Sequence, residues 1–111
     1  MASQREVFTG GLRTSWINAT SPFARMTIDD KGIIVRLLGF AAFQTDWPEL
    51  SRAERVIGGA LRSPGIRLTR TDGRRVVFWT FRPEPVLDAL RTHGVVPAES
   101  ERPPKIWFGT G

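Results

Sequence analysis

The chain has 111 residues, 41% of them hydrophobic, and a formal net charge of +5. That length suits one domain with one core, and the apolar fraction excludes a disordered chain. The absence of cysteine excludes disulfides, thiolate metal sites and cysteine nucleophiles.

The N-terminal run from Met1 to Glu6 has no apolar stretch after a basic start, so no signal peptide is expected. The longest apolar runs, Ile33–Val35 and Val76–Phe81, are too short to cross a bilayer. A cytoplasmic protein is expected, at most peripheral to the inner membrane face.

Turn formers then recur along the chain: Gly10-Gly11, Ser21-Pro22, Asp29–Gly32, Trp47-Pro48, Ser63–Gly65 and Thr71–Gly73. Between them lie short runs rich in β-branched and aromatic residues, as in a sandwich or barrel. The pattern predicts about seven strands, near 11–17, 23–29, 33–39, 41–46, 53–60, 65–71 and 75–81. Ala24, Met26 and Ile28 alternate with polar residues, and so do Ile66 and Leu68, so one face of these strands is buried. Ile33–Leu38 and Val76–Phe81 are apolar on both faces, which requires a central place or a second cover. Asp29–Gly32 and Asp72-Gly73 each specify a hairpin, glycine supplying the positive φ of a tight reversal.

A helix is predicted at about 83–93. Pro83 and Pro85 are tolerated in its first turn, Glu84 and Arg91 complement its dipole, and Gly94 ends it. Val86, Leu87 and Leu90 form one apolar stripe, which an open barrel end would cover. Residues 1–96 thus form the barrel and helix, and 97–111 a Pro-rich tail ending in the apolar Ile106, Trp107 and Phe108.

The strands followed by one C-terminal helix resemble the pleckstrin-homology-like (GRAM-type) fold of small bacterial proteins. The likeness rests on Trp16–Pro22 before the Phe23–Ile28 strand, on Trp47–Leu50 before the strand around Val56-Ile57, and on Val77–Phe81 leading into the helix. It implies a mainly β, partly open barrel of two near-orthogonal antiparallel sheets, capped by the helix, in a binding or scaffolding module without catalysis. Members that hold inositol phosphates cluster basic residues on the first two strands. Arg13 and Arg25 stand there, but Met26 and Thr27 follow Arg25 where a second basic residue is needed.

Candidate chemistry is sparse. His93, the single histidine, falls in the last helical turn, where a capping role suits it. No serine sits in a nucleophile elbow. Asp29-Asp30 belongs to a turn, and one histidine with scattered acids cannot fill a zinc shell. Gly10-Gly11 and Gly58-Gly59 match no phosphate-binding pattern, and Gly58-Gly59 reads as a bulge or barrel bend. No catalytic, metal or cofactor site is expected.

Arginine dominates the basic residues, Lys31 and Lys105 being the two lysines; codon usage of a GC-rich genome explains that excess as well as an anion site does. Arg62, Arg67, Arg70, Arg74 and Arg75 surround one hairpin and form the candidate anion or lipid patch. Ile106, Trp107 and Phe108 are the candidate partner contact, since an exposed apolar cluster is adhesive. The leading expectation is a non-catalytic, protein-binding module that uses a sheet edge or the tail and self-associates in one version of this reading. The alternative is contact with an anionic membrane through the Arg-rich hairpin. A small enzyme or ligand carrier is the weaker third reading. Nucleic acid is disfavoured, because no groove-entering helix or aromatic-basic interleaving is present.

Overall fold

Alternation of apolar and polar side chains sends every second residue to the interior, and the chain forms strands wherever that alternation persists. The computed structural model describes residues 5–15, 17–58 and 63–99. The strands are β1 (Glu6–Arg13), β2 (Asn18–Ile28), β3 (Gly32–Leu37), β4 (Phe40–Asp46), β5 (Leu50–Gly58), β6 (Ser63–Arg70), β7 (Arg75–Trp79) and β8 (Ala98–Glu99). A 3-10 turn at Trp47–Glu49 joins β4 to β5, and one helix, α1 (Pro83–Thr92), follows β7. They make one sheet in the order β4-β3-β2-β1-β7-β6-β5-β8. All pairings are antiparallel except β5 with β8. The sheet curls into the partly open barrel expected from the sequence.

β1 joins the two halves. It pairs with β2 from Glu6 to Gly10 and again at Leu12 and Arg13, and with β7 from Gly11 to Arg13. The register slips between Gly10 and Leu12. The Gly10-Gly11 pair, expected to be a turn, therefore lies inside a strand. A Cβ on Gly10 would strike the Trp79 carbonyl oxygen, and one on Gly11 the Ala19 carbonyl oxygen. The glycines are there because backbones approach closely, not to reverse the chain. Ser21-Pro22 is likewise no turn; it lies within β2, in the stretch looped out opposite this slip. β1 accordingly begins at Glu6 instead of residue 11.

The predicted hairpins form. The Asp29 carboxylate accepts the amide hydrogens of Lys31 (2.9 Å) and Gly32 (3.2 Å), fixing the β2–β3 reversal. Gly73 supplies positive φ between β6 and β7.

Helix α1 closes one end. Val86, Leu87, Ala89 and Leu90 are buried against Leu12, Met26, Ile66, Leu68 and Phe78 of the barrel core. Its C-terminus is a Schellman motif: Val95 N–H donates to Leu90 O, and Gly94 N–H to Arg91 O, both at 3.0 Å, with Gly94 at φ 87°. His93 does more than cap. Its ring stacks on Trp47, centroids 4.7 Å apart and planes 16° from parallel. The Trp47 indole N–H in turn donates to Asp29 O at 2.9 Å. Helix end, 3-10 turn and β2–β3 hairpin are thereby fastened together. Beyond the helix, Ala98 and Glu99, expected in a linker, lie parallel to Glu54 and Arg55 of β5.

Leu90→Ala should lower unfolding stability by about 2–5 kcal/mol, seen as a lower urea midpoint at unchanged slope. Gly10→Ala should cost about 3 kcal/mol, because the Trp79 backbone cannot give way to the new methyl group as a side chain could. A neutral Gly10→Ala variant in the same titration would refute the close-approach account.

Candidate functional site: the groove along the β4 edge

Bonded and non-bonded pairs alternate along an antiparallel ladder. Trp47 N–H donates to Lys31 O at 3.2 Å. Thr45 opposite Ile33 and Phe43 opposite Val35 are then bonded pairs, whereas Gln44 and Asp46 turn their amide and carbonyl groups away from β3. Among the described residues no strand lies on that side of β4, while the opposite edge of the sheet, β5, is covered by β8. The outer side of β4 forms one wall of a groove of about 840 Å³, with Thr14, Ser15, Arg70, Gly73 and Arg74 opposite.

Arg70 crosses this groove. Leu68, two residues earlier, points into the core, so Arg70 leaves the strand on the inner side. Its Nη1 donates to Gln44 O at 2.5 Å. Its Nη2 lies 3.2 Å from Asp72 and 3.5 Å from Glu49. Its Nε is buried with no hydrogen-bond partner among the described residues. The Thr71 amide donates to Glu49 O at 2.8 Å, so the β6–β7 hairpin is tied to the β4–β5 junction by backbone as well. The Arg74 amide, donating to the Asp72 carboxylate, holds the Asp72 pKa below the ordinary aspartate value, and the Arg70 and Arg74 charges add to this. Asp46 and Glu49 also line the groove. The groove is therefore polar and mixed in sign, which suits backbone hydrogen bonding better than capture of a bare anion.

The structure brings three of the candidate arginines to one groove and places Arg67 elsewhere. Arg62 lies outside the described residues. Arg67 faces the outer side of β6, where its Nε donates to Glu54 at 2.9 Å. Arg52 approaches the other oxygen of Glu54 at 3.3 Å. Glu54 is 6% exposed. The Arg67 hydrogen bond holds its carboxyl below the ordinary value of 4.5, against the opposing effect of burial. Arg70, Arg74 and Arg75 line the groove. Ile106, Trp107 and Phe108 lie outside the described residues.

Two further features carry no sequence expectation. A smaller, mainly apolar recess of about 300 Å³ lies beside Trp79, Phe81, Pro64 and Arg13. At the tip of the β3–β4 hairpin, Leu38 holds φ 51° and is 74% exposed, beside exposed Phe23 and Phe40. Arg25 and Arg36 sit directly opposite each other one position behind the tip, and neither makes an ion pair among the described residues. Neither β2 nor β3 contains an acid. Positive φ in Leu38 and Gly39 lets the two-residue turn match the strand twist. Leu-Gly between Leu37 and Phe40 was the available signal, masked by its apolar character.

Among the described residues no three His, Asp or Glu side chains come together as a metal site, and no helix is long and apolar enough to cross a membrane. The chain matches no protein-family model and no curated protein.

Glu54→Gln should destabilise the domain by about 1–3 kcal/mol, since Arg67 keeps a partner but loses its charge. The folded carboxyl titrates below 4.5, so its contribution is complete above that pH and is lost as pH falls through the folded value. Thermal melts between pH 7 and pH 3 should show a shallower acid decline for Glu54→Gln than for the wild type.

Proposed function

We propose that this domain is a non-catalytic, protein-binding module of pleckstrin-homology-like architecture that receives an extended peptide by strand addition to β4. The observation that carries the proposal is the outward-facing backbone of Gln44 and Asp46, bordering a groove of about 840 Å³ while the other sheet edge is covered. An added strand gains main-chain hydrogen bonds from such an edge, and alternate side chains read the groove. The single curled sheet and the C-terminal helix support the architectural part of this reading.

Selection of a displayed random-peptide library on the full chain tests it. Enriched peptides should shift the amide resonances of residues 40–46. Gln44→Pro removes an outward amide without breaking a ladder bond to β3, so it should abolish selection and leave the fold intact. Enrichment that persists in Gln44→Pro, or shifts confined to other strands, would contradict strand addition here.

A second reading, contact with an anionic membrane, is favoured by the hairpin tip, where exposed Phe23, Leu38 and Phe40 lie ahead of Arg25 and Arg36, which have no ion partner among the described residues. In this reading the tip replaces the Arg-rich hairpin, whose Arg67 and Arg70 are engaged by acids. The chain should sediment with phosphatidylserine-containing vesicles at low salt and not with phosphatidylcholine alone. The Arg25→Gln/Arg36→Gln variant should bind about 30-fold more weakly. Absence of sedimentation at low salt would end this reading.

A further inference from the structure

We infer that Arg70 is a latch on the β4 edge, the residue that sets access to the strand-addition site. The inference rests on the proposed use of β4. An incoming strand needs the outward carbonyl of Gln44, and Arg70 already occupies that carbonyl at 2.5 Å. The guanidinium therefore has to leave before a strand can dock.

The latch is built to hold and to release. Asp72 and Glu49 grip Nη2 and orient the side chain across the groove. The side chain is 19% exposed, so little water competes for it. Yet the hold is incomplete, because Nε is buried with no partner among the described residues. Swinging outward exposes Nε to solvent, which recovers a hydrogen bond and offsets part of the cost of leaving Gln44. Glu49 borders the groove, and Asp72 lies in the adjoining β6–β7 turn, so both can keep Arg70 paired after it moves.

An unguarded edge pairs with any available strand, a second copy of itself included. The latch thus keeps the edge from pairing with other copies of this chain and lowers apparent affinity for a peptide by the fraction of time it is closed. Replacing it should raise both tendencies together.

The full chain, Arg70→Met, Arg70→Lys and Arg70→Met/Gln44→Pro are compared by sedimentation mass over a concentration series. The wild type should keep a constant mass, and Arg70→Met should gain mass with concentration. Gln44→Pro added to it should restore the constant mass, which separates edge pairing from misfolding. Arg70→Lys, able to reach one acceptor but not to fork, should fall between. Library peptides, where selected, should bind Arg70→Met roughly tenfold more tightly than wild type.

A constant mass for Arg70→Met that melts cooperatively overturns the latch. So does association that survives Gln44→Pro. This readout uses the protein's own edge and needs no external peptide. Concentration-dependent mass without selected peptides would therefore uphold the latch and refute the peptide-binding reading. Selected peptides that bind wild type and Arg70→Met equally would do the reverse.

Discussion

The close approach of backbones at Gly10-Gly11 is the constraint on which the architecture depends. One short strand must bond to β2 on one side and to β7 on the other while changing direction. The register slip between Gly10 and Leu12 makes that change, and the space left beside it is too small for a methyl group. Without it, β1–β4 and β5–β7 would be two ribbons with no shared ladder. With it, the sheet curls so that β4 and the β6–β7 hairpin face each other across a groove. Helix α1 then needs to cover one end, and its stripe of Val86, Leu87 and Leu90 does so.

The groove exists because the curl stops short of closure. A closed barrel has no edges, whereas a partly open one must manage two. This chain manages them differently. The β5 edge is covered along Glu54 and Arg55 by Ala98 and Glu99, a backbone solution. The β4 edge is met by the Arg70 side chain, through a single hydrogen bond to Gln44. A strand partner cannot be displaced without breaking several bonds, but a side chain can rotate. This asymmetry is the physical basis of the strand addition proposed at β4.

Most of the strand pattern was legible in the sequence because period-two alternation and turn chemistry are local. Asp29–Gly32 and Thr71–Gly73 encode their reversals within a few residues. The misread segments are those in which distant contacts decide. Gly10-Gly11 looks like a turn until Trp79 and Ala19 are brought beside it. Ser21-Pro22 looks like one until β2 is paired with β1. The groove was out of reach for the same reason: no local pattern states which strand lies at an edge. Arg70 was legible as a basic residue of the hairpin, but its inward direction depends on the parity of Leu68, and its partner Gln44 is distant in sequence. Sequence proximity grouped Arg67 with Arg70, whereas strand alternation sends them to opposite sides of the sheet.

That separation also explains how a domain with net charge +5 distributes its arginines. Around β5–β7 most are matched to acids: Arg52 and Arg67 to Glu54, Arg70 to Asp72 and Glu49, Arg55 to Glu84, the last at 2.7 Å, with Arg75 the exception among the described residues. On β2 and β3 they are not, and Arg25 faces Arg36 across the ladder, where like charges repel. Surface pairs in exposed positions contribute little, so matching around β5–β7 does not by itself decide stability. Its effect is directional. Arg70, paired, holds the groove in one geometry, and Arg25 and Arg36, without an ion partner among the described residues, place two positive charges on the outer face of the β2–β3 hairpin. Those charges lie behind an exposed Leu38 whose backbone already carries the strain of a left-handed conformation, about 1–2 kcal/mol for an ordinary side chain. Asparagine would relieve the strain and a polar side chain would suit the solvent, so the exposed leucine is the feature on which the proposed contact of this tip with a membrane surface rests.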